Sequence, residues 1–69
     1  MRFFFHVLGN GRTFPDDVGE ELTSVEAAQE HATQIAHELR LDDYEGCEVC
    51  AVDGAGTQVA RVTIARPKS

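Results

Sequence analysis

The stretch TSVEAAQEHATQIAHELR, residues 23–40, decides the fold of this chain. Its apolar residues recur at spacings of three and four, which places them on one face of an α-helix. The members of this apolar stripe are Val25, Ala28, Ala32, Ile35, Ala36 and Leu39. The residues that the same period turns towards water are Glu26, Gln29, Glu30, Thr33, Gln34 and His37. A helix from Thr23 to Arg40 must bury its stripe, so the rest of the chain has to form a surface that covers it.

Two local signals mark the beginning of this helix. Thr23 and Glu26 have the spacing of a capping box, in which each side chain bonds the backbone amide of the other residue. Leu22 and Ala27 stand where a hydrophobic staple forms. We therefore expect Thr23 to cap the helix. The pattern stops before Arg40, whose charge suits the negative end of the helix dipole.

The segment before the helix predicts a β-hairpin. Phe3 to Leu8 is a run of aromatic and apolar residues, and the turn sequence Gly9-Asn10-Gly11 that follows is a strong hairpin signal. Alternation along a strand gives it two apolar faces, one with Phe3, Phe5 and Val7 and the other with Phe4, His6 and Leu8. A strand that is apolar on both faces is expected in the interior of its sheet.

The return strand of this hairpin is short. It runs from Arg12 to Phe14 and stops at Pro15, which cannot donate a hydrogen bond to a ladder and is typical of an edge strand. Residues 16–21 then form an acidic connection that leads to the positive end of the helix dipole. Within it, Gly19 is predicted to supply a turn conformation that a Cβ atom would oppose.

The chain after the helix predicts a second hairpin. Leu41 to Gly46 is the connecting loop, Cys47 to Val52 and Gln58 to Ile64 are the strands, and Asp53-Gly54-Ala55-Gly56 is the turn. Ala65 to Ser69 is a short basic tail that we expect to fray.

The sequence therefore predicts one α+β domain over residues 1–69. One helix packs on a four-stranded antiparallel sheet in a two-layer β-β-α-β-β arrangement. The expected spatial order of the strands is 2-1-3-4, which places the phenylalanine strand inside.

Size and charge exclude several classes of function. Twelve acidic residues against six basic ones give a net charge of −6, which opposes the phosphate backbone and makes nucleic acid an unlikely partner. The Phe3–Leu8 run is far shorter than the roughly 20 residues that cross a bilayer, and it has no cleavage site of small residues. We therefore expect a cytoplasmic protein without membrane contact, whose two cysteines are reduced thiols.

Four blocks of the sequence resemble a known family. They are Arg2-Phe3-Phe4-Phe5-His6, Asp16-Asp17-Val18-Gly19-Glu20-Glu21-Leu22, Glu26-Ala27-Ala28 and Asp53-Gly54-Ala55-Gly56. They are similar to the R-[YF]-F-F-H, D-x-x-G-x-E-L, E-A-A and D-x-x-G elements of a domain of unknown function in small bacterial proteins, frequent in rhizobia and related proteobacteria. The resemblance implies the same four-strand, one-helix fold, and it brings no activity, cofactor or catalytic residue. The two cysteines lie outside the pattern of that family.

The cysteines are the first candidates for chemistry. Cys47 and Cys50 have the spacing of a redox pair or of half a zinc site. Redox pairs normally lie at a helix N-terminus, whereas these two lie in a strand pattern, where positions three apart point to opposite faces. Zinc would need further ligands, of which His6 is the candidate. The preferred interpretation is that the chain binds neither metal nor cofactor. A thiol or metal-binding protein that uses Cys47, Cys50 and His6 is the alternative interpretation.

Two other sets of polar residues have side chains of the types that bind metals. His31 and His37 are six residues apart, so they do not share a helix face and are interpreted as solvated. A cation such as calcium could be gathered by the acidic connection, that is by Asp16, Asp17, Glu20 and Glu21, but the ligand order of an EF-hand loop is absent. A solvated acidic loop is the preferred interpretation.

The aromatic strand gives the main functional hypothesis. If Phe3, Phe5 and Val7 pack on the helix, the side chains of Phe4, His6 and Leu8 face away from it, and one helix cannot cover both sides. Exposed apolar patches on small domains mark interaction sites. We therefore expect a non-enzymatic binding or adaptor module that forms a homodimer through this face, with Phe4, His6 and Leu8 as contact residues. A single-stranded nucleic-acid-binding sheet is a weaker alternative.

Overall fold

A computed structural model of the chain describes residues 1–40, 44 and 46–64. It contains one helix and five strands: β1 (Arg2–Gly9), β2 (Arg12–Phe14), β3 (Glu20–Glu21), α1 (Val25–Leu39), β4 (Glu48–Asp53) and β5 (Gln58–Thr63). The helix packs on one face of an antiparallel sheet, so the predicted α+β class is confirmed. The predicted loop at 41–46 lies largely outside the described residues, and the predicted tail at 65–69 lies wholly outside them.

The sheet has the order β2-β1-β4-β5, and every neighbouring pair is antiparallel. The third and fourth predicted strands are β4 and β5, so this is the predicted order 2-1-3-4, with the phenylalanine strand β1 inside. The sequence did not predict β3, a two-residue strand within the acidic connection that pairs with Arg2 and Phe3 of β1. Two short strands, β2 and β3, thus share one edge of β1.

Gly19 allows β3 to lie against β1. Its φ angle is +76°, a left-handed conformation that glycine adopts without a steric penalty. A Cβ atom at this position would lie 2.9 Å from the carbonyl oxygen of Phe3 and 2.9 Å from the Phe4 ring. The predicted need for glycine therefore has two causes, the backbone conformation and the close approach of the loop to β1.

The core lies between α1 and the sheet. Phe3 and Val49 are fully buried there, and the helix contributes three buried alanines, Ala28, Ala32 and Ala36. Small side chains on the helix let it approach the larger residues of the strands. The polar face predicted for the helix is exposed throughout.

Three residues of the apolar stripe are less buried than its alanines. Ile35 and Leu39 pack against the core but are only half-buried. Val25 was expected in the stripe, yet 39% of its surface is exposed. It is the first residue of α1, so it lies at the end of the stripe, away from the three buried alanines.

The helix begins one residue later than predicted. Ser24, not Thr23, is the N-cap, with extended backbone angles and a side-chain oxygen that accepts a hydrogen bond from the Ala27 amide at 3.1 Å. The capping box is therefore wrong, because Glu26 stands at the second helical position instead of the third. The pair Leu22 and Ala27 no longer occupies the positions of a hydrophobic staple.

Candidate interaction face

The side of the sheet opposite α1 is the candidate site, and we call it the outer face. Strand register assembles it in three rows: Phe4 lies beside Val52, His6 lies beside Cys50, which in turn lies beside Arg61, and Leu8 lies beside Glu48. The structure thus places the three predicted contact residues Phe4, His6 and Leu8 together on one face. Their strand neighbours Phe3, Phe5 and Val7 are in the core on the helix side.

The outer face is apolar on its two inner strands, β1 and β4, which we call its middle, and it is charged at the β5 border. Leu8 is 37% exposed, whereas Phe4, His6 and Val52 are half-buried. At the β5 border, the Arg61 guanidinium donates two hydrogen bonds to the carboxylate of Glu48, at 2.6 and 2.8 Å. A face of this composition can bind an apolar surface in its middle and a polar rim beside it.

Asp16, which the sequence predicted to belong to a solvated acidic loop, instead fixes that loop beside this face through its carboxylate. Its carboxylate accepts hydrogen bonds from the amides of Phe5, Val18 and Gly19, each at 3.1 Å. The Phe5 amide lies between the part of β1 that pairs with β3 and the part that pairs with β2. Asp16 therefore fills the gap in the ladder that the two short strands leave. The available signal was Asp16 three residues before Gly19, since aspartate often bonds backbone amides two and three residues on.

The pKa of Asp16 is lowered from its ordinary value of 3.8. Burial alone would raise the pKa of this carboxyl, but the hydrogen bonds from Gly19, Phe5 and Val18 and the nearby charge of His6 outweigh burial. The carboxylate is therefore ionised at neutral pH.

The backbone of the same residue orients His6. The Asp16 amide donates a hydrogen bond to Nδ1 of His6 at 2.9 Å. Because Nδ1 is an acceptor, the neutral ring carries its proton on Nε2. His6 can therefore present an N–H donor to a molecule that binds the outer face.

Comparison with known proteins gives a family but no activity. Residues 2–65 match the family described as Domain of unknown function (DUF6894), a span that includes every strand and the helix. The chain belongs to the DUF6894 family. No curated protein and no solved structure matches it.

The two cysteines of this DUF6894 domain lie on opposite sides of the sheet. Cys47 is in the core, 3% exposed, and accepts a hydrogen bond from the side-chain amide of Asn10 at 3.4 Å. Cys50 is on the outer face, and its thiol donates to the side-chain oxygen of Gln58 at 3.0 Å. The sheet thus separates Cys47 from Cys50 and His6, the three residues of the alternative thiol or metal interpretation.

Other candidate metal ligands of the DUF6894 domain are also dispersed. Asp16 bonds backbone amides, and Glu21 forms ion pairs with the N-terminal amine at 3.0 Å and with Arg2 at 3.4 Å. Among residues 1–40, 44 and 46–64, no three His, Cys, Asp or Glu side chains lie close enough together to hold a metal ion. The described helix is too short and too polar to cross a membrane.

The two helix histidines differ from each other. His37 is exposed, as predicted. His31 is half-buried and packs edge-on against the Phe5 ring, with centroids 4.8 Å apart. Its interpretation as a solvated residue was wrong because the side of α1 next to the alanine stripe lies over β1.

Proposed function

We propose that this DUF6894 domain is a cytoplasmic, non-enzymatic binding module that associates with a second copy of itself through the outer face. The observation that carries the proposal is the apolar middle of that face, which the helix, on the opposite side, leaves uncovered. Phe4, Val52 and Leu8 form this middle, and Leu8 is the most exposed of the three.

Self-association follows from the composition of the face. Burial of apolar surface contributes roughly 25 cal/mol per Å², and symmetric dimers are the commonest protein oligomers. The net charge of −6 repels the phosphate backbone, so nucleic acid is an unfavourable partner for the outer face. The free thiols of Cys47 and Cys50 suit the reducing cytoplasm.

Sedimentation of wild type and single variants tests this proposal. Leu8→Lys places a charge at the exposed position, where Glu48 can pair with it in the monomer, so we expect a folded protein with weakened association. Phe4→Glu should act in the same way, whereas Phe5→Glu should unfold the chain because it places a charge in the core. Val25→Glu is the matched control, since Val25 is equally exposed but lies on the helix. Unchanged sedimentation of Leu8→Lys relative to this control would contradict the proposal.

Acidification gives a second readout. His6 lies on the outer face among groups that bear on its charge: the carboxylate of Asp16, the thiol of Cys50 and, one strand further, Arg61. A charged imidazole is costly to desolvate. Acidification that charges the His6 imidazole should therefore weaken association. His6→Gln, which keeps an acceptor for the Asp16 amide, should remove this dependence.

A further inference from the structure

Among residues 1–40, 44 and 46–64, no strand pairs with the edge of β5 that faces away from β4, which we call the open edge. The Ile64 amide donates to the Cys47 carbonyl at 2.8 Å, so Ile64 turns its backbone groups towards β4. Since antiparallel residues alternate in this respect, the N–H and C=O groups of Arg61 and Thr63 point away from β4 into the open edge. The opposite edge of the sheet ends in β2, which is three residues long and stops at Pro15.

The helix reaches this open edge with one of its sides. The register between β4 and β5 shifts beside Ala51, which leaves Val59 without a partner in β4. The Val59 carbonyl accepts a hydrogen bond from the side chain of Gln29 at 3.1 Å instead. A strand added to β5 would therefore lie beside Arg61 and Thr63 and meet the helix face that carries Gln29.

A groove between α1 and β5 opens at the same place. It has a volume of about 170 Å³ and is lined by Thr33, Ala36, His37, Arg40, Val62 and Thr63. Alternate side chains of an added strand point to the helix side of the sheet. This groove is the space in which such side chains would lie.

The charges along the helix favour a second copy of the chain as the occupant. The edge-facing stripe of α1 continues from Arg40 and His37 through Thr33 to Glu30 and Glu26, at helical spacings. A two-fold axis beside β5 makes the two helices antiparallel, so the acidic N-terminal half of one faces the basic C-terminal half of the other. Arg40 makes no ion pair with the described part of its own chain.

The outer face by itself is small, so association through it alone gives a weak dimer that a second contact between copies would strengthen. Four strands about 4.8 Å apart and about 20 Å long present roughly 400 Å², so two copies would bury only about 800 Å² in total. A stable, specific interface buries about 1,200–2,000 Å². Pairing through β5 joins two sheets into one that is eight strands wide, with β2 and β3 sharing each outer edge, and doubles the outer face available to another pair.

We propose that two copies of this DUF6894 domain pair antiparallel through their β5 edges, with Arg40 of each copy opposite Glu26 of the other. The edge contact is supported independently of the outer-face contact, by the open edge of β5, the groove and the charges of α1. Combined with the outer-face contact it gives a closed assembly of four copies with two perpendicular kinds of two-fold axis.

Multi-angle light scattering and sedimentation of the full 69-residue chain test the edge contact. Thr63→Pro removes an amide hydrogen that faces the open edge, at a position where an edge strand tolerates proline. Arg40→Glu replaces an attractive pair by a repulsive one, which should raise the dissociation constant of the edge contact roughly tenfold. The double variant Glu26→Arg with Arg40→Glu should restore association, because the charges are then exchanged.

The pattern of outcomes separates the two contacts. With both present, Leu8→Lys leaves a dimer held by the β5 edges, and Arg40→Glu leaves a dimer held by the outer face. If only the edge contact exists, wild type is a dimer that Arg40→Glu weakens and Leu8→Lys does not. The edge proposal is overturned if Thr63→Pro sediments like wild type, if the double variant fails to recover, or if wild type is monomeric at high micromolar concentration.

Discussion

Replacement of Asp16 by alanine is expected to destabilise the DUF6894 domain far more than its position in a loop suggests. The change removes the acceptor of three backbone amides. One of them, the amide of Phe5, belongs to the central strand and has no strand partner at that point of the ladder. The other two, from Val18 and Gly19, hold the loop that leads into β3. Without the carboxylate, the loop loses one of its attachments to β1, and the bonds from the Asp16 amide to His6 and from Arg2 to the Val18 carbonyl remain.

The magnitude follows from these three bonds. A hydrogen bond to a charged group contributes about 1.5–3 kcal/mol where it is buried. Asp16 is only half-buried, so water replaces part of the loss, and the Phe5 amide accounts for most of what remains. We expect a loss of about 2 kcal/mol in the free energy of unfolding. For a domain of this size, each kcal/mol lowers the melting temperature by about 4–8 °C, which gives a fall of about 8–16 °C.

Thermal melting followed by circular dichroism at pH 7 measures this effect. Asp17→Ala is the matched control, because Asp17 is the exposed neighbour and substitutions at such positions usually change stability by less than about 0.5 kcal/mol. The reasoning is refuted if Asp16→Ala and Asp17→Ala melt within two degrees of each other.

The pH dependence checks the cause. The folded pKa of Asp16 lies below its ordinary value of 3.8, so its stabilisation is fully present above that value and is lost as pH falls through the lower folded pKa. The difference in melting temperature between wild type and Asp16→Asn should therefore shrink below pH 4. The N-terminal amine lowers the pKa of Glu21 by a hydrogen bond and by its charge, and Arg61 lowers the pKa of Glu48 in the same way. These carboxyls also make stability depend on pH, so the effect of Asp16 is the difference between wild type and Asp16→Asn at each pH.

Two further predictions concern the core and the cysteines. Ile35→Asp should abolish cooperative melting because it places a charge against the core, and truncation of such a residue alone costs about 2–5 kcal/mol; Gln34→Asp, on the exposed side of the same helix turn, should melt like wild type. Cys47→Ser should destabilise the domain more than Cys50→Ser, because both are buried but only Cys47 belongs to the cluster between the helix and the sheet, and the Cys50 thiol already bonds Gln58. Neither wild type nor the double serine variant should contain zinc, and about one zinc per chain in wild type alone would favour the metal-binding interpretation.

The sequence predicted the elements whose patterns are repeated along the chain. The alanine stripe of α1 and the alternation of β1 were sufficient for fold class, strand order and the two faces of the phenylalanine strand. Repetition explains this success, because a periodic pattern depends on many residues and survives an error at one position. A single capping residue has no such redundancy, so Thr23 was chosen where Ser24 provides the cap.

The parts that the sequence could not predict depend on contacts between distant residues. The bond of Asp16 to the Phe5 amide joins residues 11 positions apart, and that of Gln29 to the Val59 carbonyl joins residues 30 apart. The packing of His31 on Phe5 is of the same kind. Each needs the tertiary fold to be known first. The positions of Phe4, His6 and Leu8 on one face were predictable from strand alternation, whereas their partial burial was not.

The two edges of the sheet are treated differently by the chain, and this difference bears on partner choice. Natural sheets protect their edges from pairing with other chains. At the β1 side the chain does so itself, with two short strands, Pro15 and the carboxylate of Asp16. At the β5 side the carbonyl of Val59 is capped by Gln29, while no strand of the described part of the chain pairs with the edge groups of Arg61 and Thr63 beside the groove. The chain protects one edge of its sheet and leaves the other available, so further strands can add only at β5. The charges of α1 beside that edge are complementary to those of a second copy placed antiparallel to it.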